Sequence, residues 1–266
     1  MKTLVLGGGV VGVTTAYFLA RAGDEVTIVE ANDALGLEAS AGNAGIIAPG
    51  HSFAWASPRV PAMLLRSLRG DETAIRLRLT PDPHLYTWGL RFLRECVPAR
   101  ARRNTLVKLR LCQYSQAVMK DIVRTERIAY HEVSHGALYL HRDPRELEAG
   151  IKKMALLAEH GQKQEILDAA ALARLDPVFE PVKGKLAGAI RDLGDSSGDS
   201  RVFSEELMRI AREKHGATVR LGVRVTALRA DGDRIDGVVT SDGVLTADSY
   251  VLALGVGSAR VARTAG

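Results

Sequence analysis

Only two cysteines, Cys96 and Cys112, occur in the 266 residues, and they lie 16 positions apart in a helix-like stretch. No histidine sits near them at ligand spacing, so a zinc site built on the pair is excluded. Two reduced, packed thiols of a cytosolic protein are expected. No run of 18 apolar residues exists, which excludes a membrane-spanning helix. There is no surplus of acid either: the net charge is +5 with 25% charged residues, a mildly basic balance that hints only weakly at anionic partners. The opening MKTLVLGGGVVG resembles a signal peptide superficially, but its glycines and the charged stretch that follows speak against one. What is present is 46% hydrophobic residues, enough to bury the core of one large domain or of two joined ones.

The glycines are ordered. Thr3–Leu6 reads as a short apolar strand, followed by Gly7, Gly9 and Gly12 in G-x-G-x-x-G spacing. A helical pattern with Val13, Ala16, Leu19 and Ala20 on one face runs to Gly23, and a second strand, Glu25–Val29, ends at Glu30. This is a β-α-β nucleotide-binding unit. Gly7 permits the tight turn, Gly9 lets backbone approach a pyrophosphate, and Gly12 brings helix close to strand. The helix N-terminus offers free N–H groups to the anion. Glu30 is placed to accept hydrogen bonds from a ribose diol, which disfavours a 2′-phosphate. The unit alone leaves FAD and NAD both open.

A second small-residue loop, EASAGNAGIIAPG, spans residues 38–50. Its small side chains let backbone pass close to a flat ligand, and Ser40 and Asn43 offer donors. Residues 52–130 read as largely helical. Between Arg59 and Arg110 twelve Lys/Arg face only Asp71, Glu72, Asp82 and Glu95. That is either a solvated basic face or, with PAMLLRSL and YTWGLRFL, a contact for an anionic membrane surface. No nucleic-acid motif accompanies the charge. His131, His135 and His141 flank the strand-like GALYLHR without metal-site spacing. Asp143-Pro144-Arg145-Glu146 opens a helix, and KQEILD and GKLAGAIRD read as strands. A further helix is capped near Asp199 or Ser200 and closed by Gly216. Asp231-Gly232 and Asp242-Gly243 signal hairpins, and Ser249–Leu254 reads as a parallel strand buried on both faces.

The β-α-β unit, SAGNAG soon after Glu30, and ALG at 253–255 resemble the D-amino-acid oxidase superfamily of flavoproteins. Within it, EASAGNAGIIAPGHSFAWASPRVP and SSGDSRVFSEEL are similar to bacterial D-amino-acid dehydrogenases (small subunit), with Arg59 where that pattern usually has glycine and His51 where tyrosine is common. The resemblance implies an α/β fold: a Rossmann-like FAD-binding domain with a partial α+β substrate domain. Its parts would be residues 1–50, 199–266 as the return segment, and 51–198 as the substrate-binding and helical region. It implies FAD as cofactor. Gly7, Gly9, Val10, Val11 and Gly12 would surround the pyrophosphate, and Glu30 and Ala31 the adenosine ribose. Ser40, Asn43, Ala44, Gly45 and Ile47 would lie along the ribityl chain and near the ring. Val225 would meet the adenine side through its backbone, and Ala253 and Gly255 would form a turn beneath the cofactor.

The implied activity is oxidative deamination of D-alanine-like D-amino acids, with hydride passing to flavin and the imine hydrolysing to a 2-oxo acid. Electrons would go to a quinone-linked acceptor, from a cytoplasmic protein peripheral on the inner membrane. No residue is assigned as a catalytic base and no metal is expected. Family members continue well beyond their ALG strand, which implies a C-terminally truncated chain. The alternative is therefore an inactive or partner-dependent piece of a flavoenzyme, glycine/sarcosine-oxidase-like or a subunit of a hetero-oligomer.

Overall fold

The computed structural model describes residues 1–69, 81 and 83–266. Residues Asp71, Glu72, Arg76, Arg78 and Asp82 of the basic stretch, and the part of the helical reading that covers 70–80 and 82, lie outside the described residues. In chain order the elements begin β1 (Lys2–Leu6), α1 (Val10–Arg21), β2 (Glu25–Val29), β3 (Ile46–Ile47), α2 (Val60–Leu68), α3 (Pro83–Glu95) and α4 (Pro98–Glu126). Then come β4 (Ala137–His141), α5 (Pro144–Ala158), β5 (Gln164–Leu167), α6 (Ala169–Leu175), β6 (Gly188–Asp192) and β7 (Ser196–Ser197). The chain closes with α7 (Ser200–His215), β8 (Thr218–Arg220), β9 (Val225–Asp231), β10 (Arg234–Thr240), β11 (Gly243–Leu245), β12 (Ser249–Leu252) and α8 (Ser258–Ala262).

Two units are distinguishable: Met1–Ile47 with Lys120–Val133 and Ser197–Gly266, and Ala48–Met119 with Ser134–Ser196. The first holds a four-stranded parallel sheet in the order β12-β1-β2-β8. β1 lies inside it, and Thr3, Leu4, Val5 and Leu6 are all buried, as a parallel strand covered on both faces requires. β12 is parallel as read, but it is half-buried along its length rather than buried on both faces, because it is an edge strand of the described sheet. α1 buries Gly12, Val13, Ala16, Tyr17 and Ala20 at helical spacing, so small residues let it lie close to β1 and β2. α7 packs on α1 and buries Phe203, Leu207, Met208 and Ile210. Leu207 is fully enclosed, so its truncation to alanine would cost about 2–5 kcal/mol. Asp199 is the cap of α7, its Oδ1 accepting from the N–H groups of Arg201 and Val202, and Gly216 in the left-handed region stops it. β9, β10 and β11 form an antiparallel meander whose Val225 and Val238 join Leu4, Leu6 and Val29 in one apolar cluster.

The second unit contains an antiparallel sheet in the order β4-β6-β5, packed by α5 and α6. Asp143 caps α5 as expected, accepting from the N–H groups of Arg145 and Glu146. Cys96 is buried and Cys112 half-buried, both free, and burial raises the Cys96 thiol pKa. Among the described residues, no helix is long and apolar enough to cross a membrane.

Candidate functional site

β1 runs into a turn whose shape is fixed from two sides. Gly7 has φ +112°, its N–H donates to Val29 O at 2.9 Å, and a Cβ there would lie 2.4 Å from Ala253 O. Only glycine meets both the angle and the space. A Cβ on Gly12 would lie 1.9 Å from Gly7 O, so helix and strand could not approach as they do. Gly9 differs. Its φ of −74° and ψ of 175° suit any residue, and a Cβ would meet only Ser40 Oγ, at 3.3 Å. The fold does not require glycine there.

Glu30 is held rigidly at the end of β2. Its Oε2 accepts from Gly8 N at 2.7 Å, and its Oε1 accepts from Asn32 N and Asn32 Nδ2, both at 2.9 Å. The glycine motif does not mark Asn32, whose signal is an amide two residues past the acid at a strand end. Ala31 follows half-buried. Ser40 Oγ accepts from Val10 N at 2.9 Å, which joins the second small-residue loop to the N-terminus of α1. Asn43 does not offer its donors outward. Its Nδ2 donates to Ala39 O and Ser40 O at 3.0 and 2.7 Å, and its Oδ1 accepts from Gly45 N at 2.6 Å, knotting the loop. Ala44 is exposed and Ile47 half-buried. A cavity of about 340 Å³ lies between Ser40, Asn43 and Gly45 on one wall and Ser197–Ser200 with His131 on the other.

The structure thus brings together Gly7, Gly9, Val10, Gly12, Glu30, Ser40 and Ala253, whose own N–H donates to Leu6 O at 2.8 Å. Val11 lies beside them, exposed at the helix start. Val225 directs its side chain into the core, and the chain just before β9 reaches the end of β2 through Val223 N, which donates to Glu30 O at 2.9 Å. Gly255 is exposed at φ +55°.

These groups fit a dinucleotide such as FAD. The N-terminus of α1 has no acidic residue in its first turn and no side-chain cap at Gly9, so no charged group of the helix itself opposes a pyrophosphate. The carboxylate of Glu30 stands beside the same turn with acceptor capacity left for ribose hydroxyls.

The second unit carries a separate buried acid pair. Asp195 accepts from Gly50 N at 2.9 Å and from Tyr139 Oη at 3.0 Å, while Asp192 accepts from Gly194 N at 3.0 Å and Gln162 Nε2 at 3.3 Å. Burial pushes the Asp195 carboxyl up to about 6; Asp192 adds to this, while the Gly50 N–H and the Tyr139 hydroxyl oppose it. His51 stacks on Tyr139, with ring centroids 5.9 Å apart. Among the described residues, no group of three or more His, Cys, Asp or Glu could hold a metal.

The profile of the family described as "FAD dependent oxidoreductase" matches residues 2–266. The chain is 41% identical over 266 residues to "D-amino acid dehydrogenase 2" of Mesorhizobium japonicum, covering all of this chain and 64% of that one. It is 39% identical over 267 residues to a "D-amino acid dehydrogenase" of Paramagnetospirillum magneticum, covering 63% of its length. The chain therefore spans under two thirds of these relatives. Glycine oxidase from Bacillus cereus matches in structure with a TM-score of 0.70 at 19% identity, over 98% of this chain and 57% of that one, a likeness of fold.

Proposed function

The chain belongs to the family of FAD-dependent oxidoreductases, and from that premise we propose that it serves the oxidation of D-amino acids to 2-oxo acids. FAD, when bound, supplies the two-electron acceptor. The chain's own residues bind and orient it. The N-terminus of α1, opened by Gly9, receives the pyrophosphate. Glu30, fixed by Gly8 and Asn32, accepts from the ribose. Ser40, knotted into place by Asn43, closes the pyrophosphate side. Ala44, Gly45 and Ile47 pass along the ribityl chain, Ala31 and Val225 line the adenosine end, and Ala253 and Gly255 underlie the cofactor. The observation that carries the reading is the 2.9 Å bond from Val10 N to Ser40 Oγ, because it joins the nucleotide turn to the loop that would run toward the ring.

The relatives' names support D-amino acids as the substrate class. The finer proposal is a small substrate such as D-alanine and a quinone-linked acceptor at an anionic membrane surface. The support is the basic stretch together with exposed Tyr86, Trp88 and Leu90 on α3. A partner subunit belongs to the same reading. The test is to purify the 266-residue chain, measure bound flavin, and follow dye reduction with D- and L-alanine. Retained flavin and D-specific reduction support the proposal. A colourless chain that retains NAD(H) overturns the cofactor assignment. Retained flavin with no D-amino-acid turnover overturns activity by this chain alone.

A further inference from the structure

Residues Lys120–Val133 belong to the first unit although the segments on either side of them belong to the second. This strap is anchored midway by Glu126, whose side chain is 7% exposed, accepts from Tyr17 Oη at 2.8 Å and pairs with Lys214. Lys214 holds the Glu126 carboxyl below the usual carboxylate range. Beyond Glu126 the chain makes a tight passage in which two ordinary residues, Arg127 and His131, adopt φ of 57° and 56°. Each such residue costs about 1–2 kcal/mol, so the passage persists only because its surroundings dictate it.

Between those two positions lies Tyr130, 3% exposed. Its carbonyl accepts from Asp199 N at 2.7 Å, and its ring meets Phe203 edge to face at 5.7 Å. A Cβ on Gly198 would lie 2.3 Å from Tyr130 Cε2, so the ring rests directly on the Gly198 backbone. Gly198 N donates in turn to Gly45 O at 2.8 Å, and a Cβ on Gly45 would lie 2.2 Å from Gly198 O. Val133 and Ser197 add an antiparallel bridge with both bonds at 2.9 Å. A continuous stack therefore runs from the Tyr130 ring through Gly198 to Gly45, at the wall of the 340 Å³ cavity. No side-chain atom on Gly198 or Gly45 cushions it.

We propose that Tyr130 is a positioning residue for the cofactor loop, acting through Gly198 on Gly45, and that it uses its flat ring rather than its hydroxyl. The proposal rests on the assignment of FAD to the Gly7–Gly12 turn and the Ser40–Gly45 loop. A leucine in place of Tyr130 keeps an apolar side chain but loses the planar support, so Gly198 settles and Gly45 follows.

The test compares Tyr130→Phe, Tyr130→Leu and Val238→Ala in the full chain. Val238 is fully buried in the meander's apolar cluster, so its truncation destabilises the same unit away from the Ser40–Gly45 loop. FAD affinity is read by flavin fluorescence quenching, bound-flavin visible circular dichroism reports the loop, and thermal melting reports stability. Tyr130→Leu is expected to weaken FAD binding about tenfold and alter the flavin dichroism, while Tyr130→Phe keeps both, because pre-organisation of the loop is what is lost. Val238→Ala is expected to lower the melting temperature with little change in affinity. Unchanged affinity and dichroism in Tyr130→Leu would overturn the inference. So would equal loss in Val238→Ala at matched melting temperature, or Tyr130→Phe behaving like Tyr130→Leu. Should the unaltered chain bind no FAD, it is the cofactor assignment that fails.

Discussion

Replacing Gly9 by valine separates binding from folding. The backbone at Gly9 is ordinary, with φ −74° and ψ 175°, so no conformational penalty attaches to a side chain. The new Cβ meets Ser40 Oγ at 3.3 Å, a side-chain atom that can yield. The cost is one weakened hydrogen bond from Val10 N, about 1 kcal/mol, plus a few tenths to 1 kcal/mol for a poor helix cap. Stability should therefore fall by roughly 1–2 kcal/mol. Affinity for FAD should fall beyond detection, because the valine methyl groups fill the approach to the helix N-terminus. Gly12→Ala makes the opposite case. Its methyl would lie 1.9 Å from the backbone oxygen of Gly7, a clash relieved only by parting α1 from the turn that follows β1. That should cost about 3 kcal/mol or more, at the upper end of overpacking penalties. Urea unfolding followed by circular dichroism gives the stabilities, and flavin co-purification with fluorescence titration gives the binding. Wild-type flavin content in Gly9→Val would refute the pyrophosphate assignment. Unfolding in Gly9→Val as severe as in Gly12→Ala would refute the claim that the fold requires glycine at position 12 but not at position 9.

Two further outcomes are expected. Asp195 holds its proton up to about pH 6 in the folded chain and only to about 3.9 when unfolded, so its contribution to stability is present below pH 4 and is lost as pH rises to 6, by about 3 kcal/mol. The stability of wild type relative to Asp195→Asn should fall across that window in urea titrations, and a flat difference would dismiss the raised carboxyl. The full chain should sediment with vesicles containing anionic phospholipid at low salt and be released at high salt. Equal recovery with neutral vesicles would remove the membrane proposal.

Much of the first unit is legible in the sequence because its determinants are local. The spacing of Gly7, Gly9 and Gly12 requires a turn between strand and helix, and Asp199 and Gly216 bracket α7 by their own backbone chemistry. Asp231-Gly232 and Asp242-Gly243 turn the meander for the same reason. What escapes the sequence depends on distant partners. Glu126 and Tyr130 look like ordinary residues at a helix end, and only contact with Tyr17, Lys214 and Gly198 brings their segment into the first unit. Asp192 at a strand end and Asp195 just beyond it carry no sign of burial in the sequence, yet Gly50 and Gln162 bond them in the interior. Asn43 reads as a ligand donor because composition cannot reveal that its own loop takes up its amide.

The position of β1 has a consequence for how the protein is made. β1 pairs with β2 across a 12-residue helix, but its other edge waits for β12, with Thr3 opposite Ser249. β8, which covers the outer edge of β2, begins only at Thr218. A ribosome adding about 5–20 residues per second therefore leaves the nascent β1–β2 pair with both edges open for roughly 10–40 s. Two apolar parallel strands in that condition are prone to pair with a neighbouring nascent chain. Newly made protein of this topology should thus depend on chaperones until β8 and β12 emerge, and its folding should be slow because β1 and β12 pair across so long a stretch of chain.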